Sequence, residues 1–190
     1  MANFVKVMFD TKSGADLKYK YKVGEVNVAK KWNPNADNPK DFGGFNFSTD
    51  TKILRWMARG DTLYDVEVPD DAEVVDVPNP TCPHGLLRTN KIIVKNPRKL
   101  TDELAMELYE KSDLTDKSYF IAILCLAMRG FMNTCKRIVH DKITKENLNE
   151  AYSTMLNYAN NNTYIPGQDK HIDELVKELE KIRSIINWIF

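Results

Sequence analysis

The stretch from Gly43 to Asp50, GGFNFSTD, combines residue types that could bind a ligand. Two aromatic residues alternate with an amide, and in an extended strand the two rings share one face while the amide points to the other. The same stretch also fits a structural role, in which a strand end is followed by a serine or threonine cap on a helix starting near Asp50. Both interpretations stay open from sequence alone. The candidate ligand-pocket residues are Phe45, Asn46, Phe47, Ser48 and, from a later strand, Tyr64.

Charged residues of both signs cluster near the end of the first half. On a strand, Lys91 and Lys95 point to one face, which is typical of a solvated edge strand, and the cluster lacks the interleaved aromatic residues that RNA stacking would need. Asp65 and Glu67 would lie about 7 Å apart on one strand face, but no apolar surroundings indicate acid–base catalysis, so we interpret them as solvated charges. The basic cluster consists of Arg88, Lys91, Lys95, Arg98 and Lys99.

Metal and cofactor chemistry has weak sequence support. The three histidines lie in separate segments, and Cys82 with His84 offers two ligands without a second pair. Gly43 and Gly44 lack the further glycine, lysine and hydroxyl of a phosphate-binding loop. We therefore expect no metal and no cofactor.

The composition is that of a globular protein. Its 27 basic and 27 acidic residues give no net field that would attract nucleic acid or an acidic membrane. An odd count of three cysteines favours reduced thiols. No apolar run approaches the roughly 18 residues of a membrane span, and the start of the chain does not resemble a secretory leader, so we expect an intracellular protein without a membrane partner.

The hydrophobic pattern changes near residue 100 and predicts an α+β fold, with a small β-rich N-terminal domain (1–99) followed by an all-helical C-terminal domain. Residues 4–9 and 17–23 are predicted to pair as a hairpin, and the last strand is predicted at 90–95, closed by Asn96 and Pro97. The helical domain is assigned to 100–160, and a separate amphipathic helix to 168–190. Helices are predicted at 51–59, 102–111, 116–129, 132–141, 145–159 and 170–189.

The last helix carries an apolar seam with heptad spacing. Such a seam could pack on the protein's own helices, or it could make the chain self-associate as a short coiled coil. We consider both. The candidate interaction seam consists of Ile172, Leu175, Leu179, Ile182, Ile186 and Ile189.

Three successive stretches, GGFNFSTDTKILRW, RGDTLYDVEVPDDAEVV and RTNKIIVKNPRKLTDELAMELY, together resemble a family of proteins encoded by mimivirus-like giant DNA viruses. The resemblance covers roughly residues 15–140. In longer family members this β-rich module precedes ankyrin repeats. The resemblance implies a viral accessory protein that is located in the host cytoplasm or in the virion and binds a protein partner.

The helical half contains a pattern similar to one degenerate ankyrin repeat, over residues 118–140. Leu126 and Ala127 match the small apolar pair, and Gly130 matches the turn, but the opening T-P-L-H of the repeat is absent. A plain helical bundle explains the same spacing.

A second resemblance concerns the opening stretch, which is similar to phage and bacterial domains with a G-F-H-F-C signature and to ADP-ribosyltransferase-like folds that place such a strand against nicotinamide. Asn46 replaces the histidine, and no catalytic glutamate can be identified. Two functions therefore compete: a non-enzymatic protein that acts by protein–protein recognition, and an ADP-ribosyltransferase-like, NAD-binding enzyme or an inactive relic of one.

Overall fold

The structure, a computed structural model, describes residues 2–14, 18–161 and 171–187, with the backbone alone at 184–187. It has an α+β fold, which confirms the predicted class: an antiparallel sheet precedes a set of helices. The chain forms two compact units. The first, the β unit, comprises Met1–Ile53 and Arg59–Leu100, and the second, the helical unit, comprises Leu54–Ala58 and Thr101–Phe190.

The β unit is built on one sheet, in the order β3-β8-β5-β1-β4-β7-β6, with β2 paired to β1. All of these strand pairs are antiparallel. The strands are β1 Phe4–Phe9, β2 Lys12–Ser13, β3 Val26–Val28, β4 Phe45–Thr49, β5 Thr62–Glu67, β6 Val74–Asp76, β7 Leu87–Thr89 and β8 Lys91–Lys99.

Strand β1 shares one of its edges between two partners. Met8 pairs with Thr62 of β5 on one side, so its pairing with Ser13 of β2 must lie on the other side, the edge that also carries β4. Strand β4 occupies this edge only at Phe4 and Val5. Along this edge, β1 is paired with β4 at its start and with β2 at its end. Lys6 and Val7 lie between the two pairings and form a gap in the strand ladder.

Side chains alternate between the two faces of each strand. The main apolar cluster lies on the face that carries Met8 and Tyr64. Val5 and Leu63 point to the opposite face and are also buried. The cluster consists of Met8, Tyr21, Phe45, Phe47, Tyr64, Val66, Ile92 and Val94.

Two strand predictions were wrong. Strand β1 pairs with β2, and residues 18–23 make only isolated bridges at Lys20 and Val23. Strand β8 continues past Asn96 to Lys99, because the shift in its register with β5 forms a bulge. Asn96 has a φ of +52°, and Pro97 lies at this irregularity, where a residue without an N–H can be accommodated in a strand.

The helical unit contains the five predicted C-terminal helices, which are confirmed: α1 Asp102–Glu110, α2 Asp116–Arg129, α3 Met132–Lys142, α4 Leu148–Asn161 and α5 Ile172–Asn187. Among the residues that the structure describes, none of the helices has the length and apolarity to cross a bilayer.

The starts of α1 and α3 are linked by one carboxylate. Thr101 accepts a hydrogen bond from the backbone N–H of Leu104 (3.2 Å) and so caps α1. Phe131, at the N-cap of α3, cannot cap with its side chain, and Asp102 of α1 accepts instead from the N–H groups of Asn133 and Thr134 (2.9 Å each). Helix α1 therefore supplies the missing acceptor of α3.

Between them, α2 and α3 form the helix pair in which an ankyrin-like repeat was predicted. They pack on each other, and Gly130 ends α2 with a φ of +77°, in the left-handed region that favours glycine. A plain bundle has the same features, so the ankyrin-like assignment stays a prediction.

Candidate functional site

The three aromatic rings of the predicted pocket lie in the core of the β unit. Phe45, Phe47 and Tyr64 are between 2% and 6% exposed and belong to the main apolar cluster. The Phe45 ring lies 5.3 Å from the ring of Tyr19 and 5.4 Å from that of Tyr21, between centroids. These rings therefore pack against protein on the face where a ligand would have to bind.

Ser48 is also buried, and its hydroxyl donates a hydrogen bond to the carbonyl of Gly85 (2.7 Å). The predicted helix after β4 exists as a 3-10 helix at Ile53–Arg59, but its N-cap is Lys52, which makes no side-chain capping bond. The cap predicted at Ser48 or Thr49 was therefore wrong, because β4 continues through both residues and turn residues separate it from the helix.

Asn46 faces away from the two phenylalanines and contacts the neighbouring strand. It lies opposite Arg88 in the β4–β7 pair, and its Oδ1 accepts a hydrogen bond from Arg88 Nε (2.5 Å). The Arg88 guanidinium also donates to the Pro39 carbonyl and lies 6.0 Å from the centroid of the Phe42 ring. Partial burial lowers the pKa of Arg88.

Lys6 was missed in the sequence, although it is the most unusual ionisable group of the β unit. It is 6% exposed and lies at the gap where β1 passes from β4 to β2. Its amine donates to the backbone carbonyl of Asn46 and lies 5.2 Å from the centroid of the Tyr21 ring. Burial, and then the charge of Arg88, lower the pKa of Lys6 to about 7.

A signal for Lys6 was present in the stretch FVKVMF, where one lysine stands among five apolar residues. On a strand, Lys6 shares a face with Met8. A lysine on an apolar strand face either lies at the solvent-exposed border of the core or is buried within it. Only the pairing of the strands decides between the two.

The rest of the basic cluster is neutralised across the surface. Each cation of β8 meets a carboxylate, and two of these carboxylates are Asp65 and Glu67. The pairs are Lys91–Asp71 (2.5 Å), Lys95–Glu67 (2.6 Å), Arg98–Asp65 (2.5 Å) and Lys99–Asp61 (3.0 Å). These pairs leave no uncompensated positive stripe on β8 and no isolated carboxylate pair on β5.

The histidine and cysteine residues do not assemble into a metal centre within the described part of the chain, where no group of three or more His, Cys, Asp or Glu residues could hold an ion. His84 contacts the Asp76 carboxylate, and Cys82 is buried. Burial raises the pKa of the Cys135 thiol to about 12, which makes it unreactive at neutral pH.

The central residues of the apolar seam of α5 pack inside the helical unit. Leu175 and Leu179 are buried, and α5 packs on α2 and α3. Ile172 and Ile182 are half-buried. The side chain of Ile186 and the whole of Ile189 lie outside the described residues.

An apolar groove of about 110 Å³ lies between α4 and α5. Leu124 of α2 lines it together with Met155 of α4 and Val176 of α5. Tyr152 and Leu156, also in its wall, are large apolar side chains that remain 51% and 50% exposed. Within the described residues, this groove is an apolar surface of the helical unit.

No protein-family model, curated protein or solved structure matches this chain. Its function must therefore be argued from the two places described above, the Lys6–Asn46–Arg88 cluster and the α4–α5 groove.

Proposed function

We propose that the chain is a non-enzymatic recognition protein whose helical unit binds an apolar helix of a partner protein in the α4–α5 groove. The observation that carries the proposal is the exposure of Tyr152 and Leu156, about half of each side chain, beside a groove with an apolar lining. Single exposed apolar residues need no explanation, but two of them one helical turn apart on the rim of a groove form a continuous surface.

A partner helix would cover the apolar side chains that line the groove. Burial of apolar surface contributes roughly 25 cal/mol per Å², and aromatic and methionine side chains are enriched at the centres of interfaces. Tyr152 and Met155 are of these types, and Leu156 extends the surface along α4. An amphipathic helix laid into such a groove would bury its own apolar face in the same way.

We also propose a viral origin and a location in the host cytoplasm or in the virion. Both rest on the sequence resemblance to giant-virus proteins. The groove supports only the recognition step.

The alternative, an ADP-ribosyltransferase-like NAD-binding enzyme or its relic, receives less support from the geometry. Phe45, Phe47 and Tyr64 are packed in the core, whereas a nucleotide would need their faces. Calorimetric titration of the full chain with NAD tests this alternative, and binding at micromolar to millimolar NAD would restore it.

Site-specific photo-crosslinking tests the recognition function. A benzophenone amino acid is placed at Leu156, on the groove, and in a matched variant at Asn157, which is exposed and turned about 100° around the same helix. Both chains are irradiated in host-cell lysate, and the adducts are identified by mass spectrometry. We expect a discrete adduct at 156 that is absent at 157.

Substitutions provide the second measurement. Once the partner is identified, Leu156→Asp should weaken its binding strongly, while Asn157→Asp should leave it unchanged, because only the first places a charge in the groove. Equal adducts at both positions, or binding unaffected by Leu156→Asp, would contradict the proposal. An adduct between two copies of the chain would identify self-association as the interaction.

A further inference from the structure

Strand β3 lies at one end of the sheet and leaves a backbone edge open. Within the residues that the structure describes, its strand partner is β8. The N–H of Ala29, at the end of β3, points to β8 and donates to the Asn90 carbonyl (2.8 Å). Because backbone groups alternate in direction along a strand, the N–H and C=O groups of Val26 and Val28 point away from β8. This open edge therefore offers donors and acceptors to a further antiparallel strand.

The side chains beside the open edge are apolar and exposed. Asn27 is buried and lies opposite Ile92 of the main apolar cluster, so its neighbours Val26 and Val28 point to the other face of the sheet. Val26 is 48% exposed and Val28 is 58% exposed. No large apolar side chain in the described part of the β unit is more exposed.

Strand β3 lacks the features that normally keep an edge strand from pairing, which are a lysine, a proline or a bulge within the strand. At the other end of the sheet, β6 carries Asp76 and is followed by Pro78. The Asn27 side chain also holds the loop before β3 in place, since it bonds with both the N–H and the carbonyl of Lys22 (2.9 Å each). An ordered, unblocked edge of this kind is a template for strand addition.

We propose that β3 pairs antiparallel with β3 of a second copy of the chain, about a two-fold axis at Asn27. In this register Val26 of one copy lies opposite Val28 of the other, and the outward backbone groups of these residues form the hydrogen bonds of the new ladder. The exposed valines of both copies then form one apolar patch across the joined sheets.

The charges around β3 are self-complementary, which is why a second copy fits this edge. Glu25 precedes the strand, Lys30 and Lys31 follow it, and all three are exposed. Antiparallel pairing brings the start of β3 in one copy next to its end in the other, so each carboxylate meets the lysines of the other copy. The pair that Glu25 makes with Lys22 (3.6 Å) is exposed and competes weakly. Because β3 is short, the interface is small and the dimer should be weak and reversible.

Sedimentation velocity of the full chain, from micromolar to millimolar concentration, tests the proposal. We expect a reversible equilibrium between monomer and dimer. Val28→Lys should weaken the dimer by about tenfold or more, because it places a charge in the apolar contact. Val74→Lys is the matched control, since Val74 is 44% exposed on β6, the opposite edge strand, and its substitution should leave the dimer unchanged.

Charge reversal tests the antiparallel register. Glu25→Lys and the double variant Lys30→Glu/Lys31→Glu should each dimerise more weakly when alone, because like charges then meet. A mixture of the two variants should recover the dimer, because each then supplies the charge that the other lacks. In the wild type, hydrogen exchange of the Val26 and Val28 amides should slow as the concentration rises.

A chain that stays monomeric at millimolar concentration would overturn the proposal, and so would a dimer that is equally strong in a folded Val28→Lys variant. The ¹⁵N spectrum of each variant shows whether it is folded. A dimer that is kept in Val28→Lys but lost in Leu156→Asp would assign self-association to the α4–α5 groove and would also overturn the proposal.

Discussion

The cations of the β unit lie in two contrasting environments. Along β8, Lys95 is half-buried and Arg98 is exposed, and each is paired with a carboxylate. At the start of the sheet, Lys6 is buried with a carbonyl and a ring as its partners, and the charge of Arg88 acts on it as well. Exposed pairs contribute little because water already solvates both ions, whereas a buried cation without a counter-ion costs free energy. The cations with the most carboxylate partners are thus the ones whose loss should matter least.

The largest expected effect is on the pH dependence of stability. The pKa of Lys6 is about 7 in the folded chain against an ordinary 10.5, so between these values the unfolded chain binds more protons. The free energy of unfolding of the β unit must then rise with pH from about 7 to 10.5, at roughly 1.4 kcal/mol per pH unit for one proton. Denaturant titrations followed by the signals of β1 and β5 measure this slope.

Lys6→Met is the control for that slope, because it removes the titrating group and leaves all others. In this variant the rise should disappear, and at neutral pH the variant should be more stable by about 2 kcal/mol, since a buried thioether needs no counter-ion. If the slope persisted in Lys6→Met, another group would be responsible, and the contrast with β8 would lose its basis.

A smaller effect is expected when the shared asparagine is shortened. Asn46→Ala removes the Oδ1 acceptor of Arg88 but keeps the backbone carbonyl that Lys6 contacts. We expect a loss of about 1–2 kcal/mol in unfolding free energy, with the pH slope retained. Asn46→Asp is the informative partner variant, because it supplies the missing negative charge and should raise the pKa of Lys6, which NMR can follow at the Lys6 amine. An unchanged Lys6 pKa in Asn46→Asp would show that a charge on the side chain of residue 46 does not act on Lys6.

The smallest effect is expected from Glu67→Gln, which leaves Lys95 without its carboxylate. Water replaces the lost partner of an exposed lysine, so the unfolding midpoint should shift at the limit of detection, and the shift should vanish at high salt. A loss comparable to that of Asn46→Ala would show that the surface pairs act as a network.

The sequence was sufficient where the local pattern decides the structure. The helices from Thr101 onward follow from apolar spacing and from the Thr101 cap, and the two phenylalanines of β4 share a buried face as their alternation predicts. What could not be predicted depends on which strands become neighbours. Lys6 contacts the Asn46 carbonyl at the point where β4 and β2 divide one edge of β1, and Asn46 meets Arg88 because β7 adds to β4. Neither register can be read from a single strand.

Pro97 is a second example of a position whose structure depends on strand pairing. A proline normally ends a strand, yet β8 continues, because the bulge at Asn96 places the proline where the ladder is already irregular. The groove of the helical unit likewise arises from the packing of three helices, and Tyr152 and Leu156 line a groove only because α5 packs beside α4.

The segment Leu54–Ala58 decides where the chain can be divided into separately expressed fragments. It belongs to the helical unit although it is encoded inside the β unit, and its Leu54 and Met57 are fully buried, while Cys125 of α2 donates a hydrogen bond to the Arg55 carbonyl. A fragment that starts at Thr101 would lack the buried side chains of Leu54 and Met57 and the hydrogen bond to Arg55. Its helical unit would contain a cavity where these residues pack. The two units are therefore interlocked along the chain, and recombination or truncation at residue 100 would not yield two independent modules.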